Sequence, residues 1–229
     1  MINLILAAIF FVGLHILVAG TSRREVLVAR FGLLAFRAGF ATLSLLGLVW
    51  MAYAWRNAPY VETWGQLTAI KPLVAILMLP AFVLMVCGLS SPNPTAVTGE
   101  RLLEGDPEVR GILRITRHPF LWGVGLWAML HVLVNGDVAA LILFGSFWGL
   151  VAAGTRSIDA KRQRAFGEHW TRFAARTSAL PFQAMFDGRQ PRDWRLLYAE
   201  IGWPRLVGAV VVWLAVMHIH ARLGVSPFL

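Results

Sequence analysis

Three of the six histidines stand where imidazole chemistry is unusual. His15 lies in Phe10-Phe11-Val12-Gly13-Leu14-His15-Ile16-Leu17 and His131 in Leu126-Trp127-Ala128-Met129-Leu130-His131-Val132-Leu133, runs without another ionisable side chain. An imidazole in such a setting is costly unless it meets a partner, a ligand or water. The readings open for each are a hydrogen bond to a neighbouring helix, a metal or haem ligand, or a proton carrier. Two such histidines on different helices are what a low-spin b-type haem wants, and Gly123 and Gly125 would let a macrocycle or another helix come close.

The third, His118, sits in Arg114-Ile115-Thr116-Arg117-His118-Pro119-Phe120-Leu121-Trp122-Gly123, where a basic, polar stretch meets a proline at a helix start. Arg117 and His118 there suit recognition of a polar or anionic group. The plainer reading is a helix-start histidine with its other ring nitrogen in water. His118 and His131 are about 20 Å apart along a helix and roughly 140° apart around it, so one ligand does not easily touch both. His169 reads as solvated. Of His218 and His220, only His218 shares a depth with His131, which keeps it and His118 open as partners for an iron.

Ten Trp, 58% hydrophobic residues, 14% charged residues and a mean hydropathy of +0.65 put the 229-residue chain in the membrane class. In a soluble protein a net charge of +9 would point to nucleic acid; in a polytopic one it is the positive charge of cytoplasmic loops, and no nucleic-acid role is expected. The single cysteine, Cys87, excludes disulfides and thiolate clusters. No spacing resembles a zinc site, a Ser/His/Asp set or a phosphate-cradling loop, and no cleaved signal or transit peptide is expected.

The elements that must position these residues form an all-α, polytopic membrane helical bundle of about six transmembrane helices plus interfacial amphipathic helices, in one domain over 1–229. The spans run at about Ile2–Gly20, Leu33–Trp55, Ile70–Leu89, Pro119–Val134, Val138–Gly154 and Leu206–His220. Arg37 lies inside the second, either snorkelling toward Arg23 and Arg24 or serving a buried role such as contact with haem propionates. Pro80 is expected to kink the third. Glu100 to Arg117 reads as an interfacial segment held on the membrane by its apolar residues, and Asp159 to Arg176 as an amphipathic helix within a basic loop, 156–205. Connections after spans one, three and five hold 17 Lys and Arg, against 3 on the other side with Arg37 left out. That bias predicts cytoplasmic basic loops and both termini outside, in a bacterial inner membrane.

The Arg-His-Pro stretch, the run from Leu126 through His131 to Asn135-Gly136, Leu143-Phe144-Gly145 and His15 resemble the NnrU family of integral membrane proteins. Further pieces, Phe166-Gly167-Glu168, Arg176-Thr177-Ser178-Ala179-Leu180-Pro181-Phe182 and Phe186-Asp187-Gly188-Arg189-Gln190, are similar to its 15-cis-zeta-carotene isomerase branch. The resemblance implies that His15 and His131 are axial ligands of a haem b. It also implies redox-dependent isomerisation of a 15-cis double bond in a hydrophobic polyene or lipid-like substrate. The family name also implies an alternative, an accessory or sensor role in nitrite and nitric oxide metabolism. A more distant likeness, carried by Arg117-His118-Pro119, Phe166-Gly167-Glu168-His169-Trp170 and Pro181, is to isoprenylcysteine methyltransferases, which use S-adenosylmethionine; Leu121 and Trp122 replace the tyrosine usual after the proline.

Overall fold

The computed structural model describes residues 1–223, and these are helical apart from loops and one isolated antiparallel bridge between Glu62 and Asp137. In order come α1 (Ile2–Gly13), which passes into a π-helical turn (Leu14–Ala19), α2 (Arg23–Phe31) and α3 (Leu33–Arg56). Next are α4 (Lys71–Ser90), α5 (Ile112–Ile115), α6 (Pro119–Asn135) and α7 (Val138–Phe166). The chain continues with α8 (Glu168–Arg176), α9 (Gln183–Phe186), α10 (Trp194–Ile201) and α11 (Trp203–Arg222).

Five stretches of the described residues are long and apolar enough to cross a membrane: Ile2–Ala19, Leu33–Arg56, Thr68–Ser90, Val138–Phe166 and Trp203–Arg222. The sixth expected span, α6, is apolar but has 17 residues, about 25 Å of helix, slightly short of a hydrocarbon core. Burial agrees with a lipid surround. On α3 only Gly47, Met51 and Ala54 are buried, while Leu34, Leu45, Leu46 and Val49 stand exposed. Water would not tolerate so continuous an apolar surface, whereas hydrocarbon requires one.

The chain forms two compact units, Met1–Thr68 with Ala128–Ser157, and Ala69–Trp127 with Ile158–Leu229. In the first, α1 and α3 are antiparallel: Trp50 Nε1 donates to Asn3 Oδ1, the Phe10 and Phe11 rings flank Gly47, and His15 meets Phe40. Gly47 is what lets these helices close, since a β-carbon there would lie 3.2 Å from both rings. The turn between α6 and α7 is fixed from outside as well. The Gly136 carbonyl accepts from the Thr63 and Gly65 amides and the Thr63 hydroxyl, and Asp137 Oδ1 caps α7 by accepting from the Ala140 amide.

The second unit packs α4 against α11, with Trp213 Nε1 donating to the Ala75 carbonyl. Here two expectations change. Val109, Ile112, Leu113 and Ile115 of the Glu100–Arg117 segment, and Leu103 beside them, turn inward into two buried clusters rather than outward to the membrane; Leu102 alone of the named apolar residues stays exposed. What holds the segment is Arg114, whose guanidinium makes two 2.6 Å bonds to the Glu200 carboxylate and one to Gln190. The stretch from Asp159 to Arg176 is not one helix. α7 runs unbroken to Phe166 because no breaker intervenes after Gly154, and the chain turns at Gly167, φ +48°, before α8.

Gly136 combines φ +55° with a β-carbon position that would fall against the Gly65 carbonyl. Gly136→Ala is expected to destabilise the protein by about 2 kcal/mol or more, read as a lowered thermal midpoint in detergent. An unchanged midpoint would mean that this turn is not held as described.

Candidate functional site

α1 buries Leu4, Ala7, Ala8 and Phe11, and His15 follows one turn later on the same stripe. It stands half-buried in the π-helical turn, where the Gly20 amide donates to the His15 carbonyl five residues back. π-turns insert one residue into a helix and recur at functional sites. His15 Nδ1 lies 2.8 Å from the Phe11 carbonyl, which can only accept, so Nδ1 carries the proton and the lone pair is on Nε2. A backbone carbonyl on one nitrogen, with the other left as a ligand atom, is the arrangement metal-binding histidines use. The ring packs 4.5 Å from Phe11 and 5.1 Å, edge-on, from Phe40.

His131 belongs to the same unit. Its half-buried ring stacks on Phe144 at 4.6 Å and 24°, and its carbonyl accepts from Asn135 Nδ2. Phe144 is also edge-on to Trp55 at 6.0 Å, and one turn along α7, Phe147 meets Phe11 at 5.6 Å. The Ser157 hydroxyl donates to the Gly20 carbonyl, so α1 and α7 run in the same direction. Measured along α7, His15 therefore lies about 10 Å further toward the C-terminal end of that helix than His131. A group held by both histidines would have to bridge that offset. The donor set suits such a group. A porphyrin iron already has four nitrogens and needs two, whereas a bare ion needs three or four protein ligands. Among the described residues no group of three His, Cys, Asp or Glu side chains is arranged to hold an ion.

Arg37 is half-buried on α3, one turn before Phe40, and meets no carboxylate or hydrogen-bond partner among the described residues.

In the second unit His118 departs from expectation. Its ring nitrogens are not in water: the residue is 2% exposed. Nε2 is 2.8 Å from Asp159 Oδ1, and Nδ1 is buried with no partner. The same carboxylate receives Arg117 through Nε and Nη2, and the Arg117 guanidinium lies 5.6 Å from the Trp170 ring centre. Thr95 Oγ1 donates to the Arg117 carbonyl, the Arg117 amide donates to the Ser178 carbonyl, and Thr116 Oγ1 donates to the Ala179 carbonyl. Arg117 is thus committed internally, and only His118 Nδ1 is left to accept from another group. Burial pushes the His118 pKa below the ordinary histidine value, against the raising pull of Asp159, so the ring is neutral at neutral pH.

Sequence reasoning misses Asp159, although the chain carries a signal for it: a lone acid among Arg156, Lys161, Arg162 and Arg164. Phe40 and Phe144 look like any apolar residue of a span, and nothing in their spacing marks them as partners of the histidines.

The NnrU protein family profile matches residues 3–227, and the chain belongs to that family. It is 37% identical over 89 residues to the chloroplastic 15-cis-zeta-carotene isomerase of Arabidopsis thaliana, covering 37% of this chain and 23% of that protein. It is 35% identical over 98 residues to the chloroplastic 15-cis-zeta-carotene isomerase of Zea mays, covering 40% of this chain and 27% of that protein. The similarity therefore spans about a quarter of the length of these relatives. No solved structure was found to match the chain.

A histidine whose pKa is lowered on folding binds fewer protons folded than unfolded. Its stabilising effect is present above the unfolded value near 6.5 and is lost as pH falls toward the folded value. The thermal midpoint is expected to fall between about pH 7 and about pH 5, and His118→Gln, which keeps a donor for Asp159, is expected to flatten that fall. Parallel pH curves for the two proteins would assign the effect to other groups.

Proposed function

We propose that this NnrU-family membrane protein binds one haem b through His15 and His131 and isomerises a 15-cis double bond of a hydrophobic polyene. The observation that carries the reading is the His15 tautomer. With Nδ1–H given to the Phe11 carbonyl, Nε2 is held as a lone-pair donor in the apolar first span. The likeness to two 15-cis-zeta-carotene isomerases supports the choice of substrate class.

The roles follow from the contacts. The Phe11 carbonyl fixes the orientation and tautomer of the His15 ring, leaving the Nε2 lone pair for a ligand. Phe144, stacked on His131, restrains that ring's rotation, and Phe11, Phe40 and Phe144 keep water from both imidazoles. Exposed apolar faces such as that of α3 leave the unit open to a substrate dissolved in lipid. The chemistry supplied by a bound haem is electron density from ferrous iron, which lowers the barrier to rotation in a conjugated chain. The same reading puts the basic loops in the cytoplasm of a bacterial cell and both termini outside, supported by the 17-to-3 distribution of Lys and Arg.

Detergent-purified protein expressed with haem supply is expected to show about one haem per chain, with sharp ferrous bands, and His15→Ala and His131→Ala each to lose it. Full haem content in both variants would reject the ligand assignment. Incubation of a 15-cis polyene with reduced and with oxidised protein should change the isomer ratio only in the reduced sample. A haem protein that leaves the ratio untouched in both would not be an isomerase, and nitric oxide binding would be the next measurement.

A further inference from the structure

The face of α3 turned to α1 recurs at Arg37, Phe40, Ser44, Gly47, Met51 and Ala54, the three-and-four spacing of a helix seam. Its two halves differ. From Gly47 onward the seam is closed: Met51 is fully buried, Ala54 is 3% exposed, and the Phe10 and Phe11 rings fill the notch over Gly47. From Ser44 back to Arg37 it carries polar groups with nothing to meet. The Ser44 hydroxyl is buried without a hydrogen-bond partner, although a serine in a helix commonly bonds the carbonyl four residues back. Arg37 is half-buried and has no counter-charge among the described residues. Between them Phe40 stands edge-on to His15.

A guanidinium inside a span is costly without a partner, and one that merely snorkelled would be exposed at the surface. A second cation extends the feature: the Arg24 guanidinium lies 5.8 Å from the Phe36 ring, and Phe36 stacks on Phe40. Cations therefore gather beside the ring that abuts the candidate iron ligand. The group they lack is an anion, and a haem b carries two carboxylates on one edge.

We propose that Arg37 pairs with a propionate carboxylate of the haem held by His15, and so sets which edge of the macrocycle faces the first turns of α3. This rests on the haem reading above. A planar, always-charged fork suits a carboxylate, and in the low dielectric of a span the pair is strong.

The test is a titration of the full-length apoprotein in detergent with haemin and with haemin dimethyl ester, in which both propionates are neutral. The wild type is expected to bind haemin at least about tenfold more tightly than the ester. Arg37→Gln should lose that preference by weakening haemin alone, and Arg37→Lys should restore part of it. Equal affinity of the wild type for the two probes overturns the proposal even if no Arg37 variant folds, while the haem reading survives. A preference that Arg37→Gln leaves intact also overturns the role of Arg37. Failure of the wild type to bind either probe removes the haem reading itself.

Discussion

A bilayer core offers no water to a polar side chain, so every such group in a span must find its partner within the protein or in something the protein binds. That constraint orders the structure. The Trp50 and Trp213 indole N–H groups, on apolar helices, donate to Asn3 Oδ1 and to the Ala75 carbonyl. The turn after α6 gathers three donors onto the one Gly136 carbonyl. Against this thrift, Ser44 and Arg37 stand out as the places where the rule is not met from within, and both lie on the seam that meets His15.

The second unit solves its polar problem differently. Arg117, His118 and Asp159 form a closed set in which the carboxylate answers a guanidinium and an imidazole together, and Arg114 with Glu200 repeats the fork nearby. A carboxylate shared by an arginine and a neutral histidine needs no further cation, and the conformation of the loop before α6 is fixed by these bonds rather than by lipid. His118 Nδ1 is the one atom of the set left with acceptor capacity.

The spans are legible in the sequence because a bilayer crossing demands a run of about 20 apolar residues and a soluble core seldom supplies one. Their limits agree closely where charge or proline marks an end, as at Leu33–Arg56 and Pro119–Asn135. His15 and His131 are legible because an ionisable residue contrasts with its apolar run. His118 stands out too, but its surroundings do not. Its basic neighbours read as a wet surface, and nothing local reveals that Asp159, 41 residues on, pairs with both Arg117 and the imidazole, or that Glu200 takes up Arg114. The apolar residues between Glu100 and Arg117 mislead for a related reason, since hydrophobic spacing says that a face is buried and not whether lipid or protein buries it.

The π-helical turn at Leu14–Ala19 has a consequence for direction as well as for hydrogen bonding. It is what a single-residue insertion looks like when a helix absorbs it locally instead of passing the shift down the chain. Upstream, the stripe Leu4, Ala7, Phe11 keeps its phase against α3; downstream, the phase is reset by about 100°, so the chain that leads to Arg23 and Arg24 leaves the helix in another direction. The turn thus lets the first histidine and the basic residues behind it be aimed independently of the stripe that packs on α3.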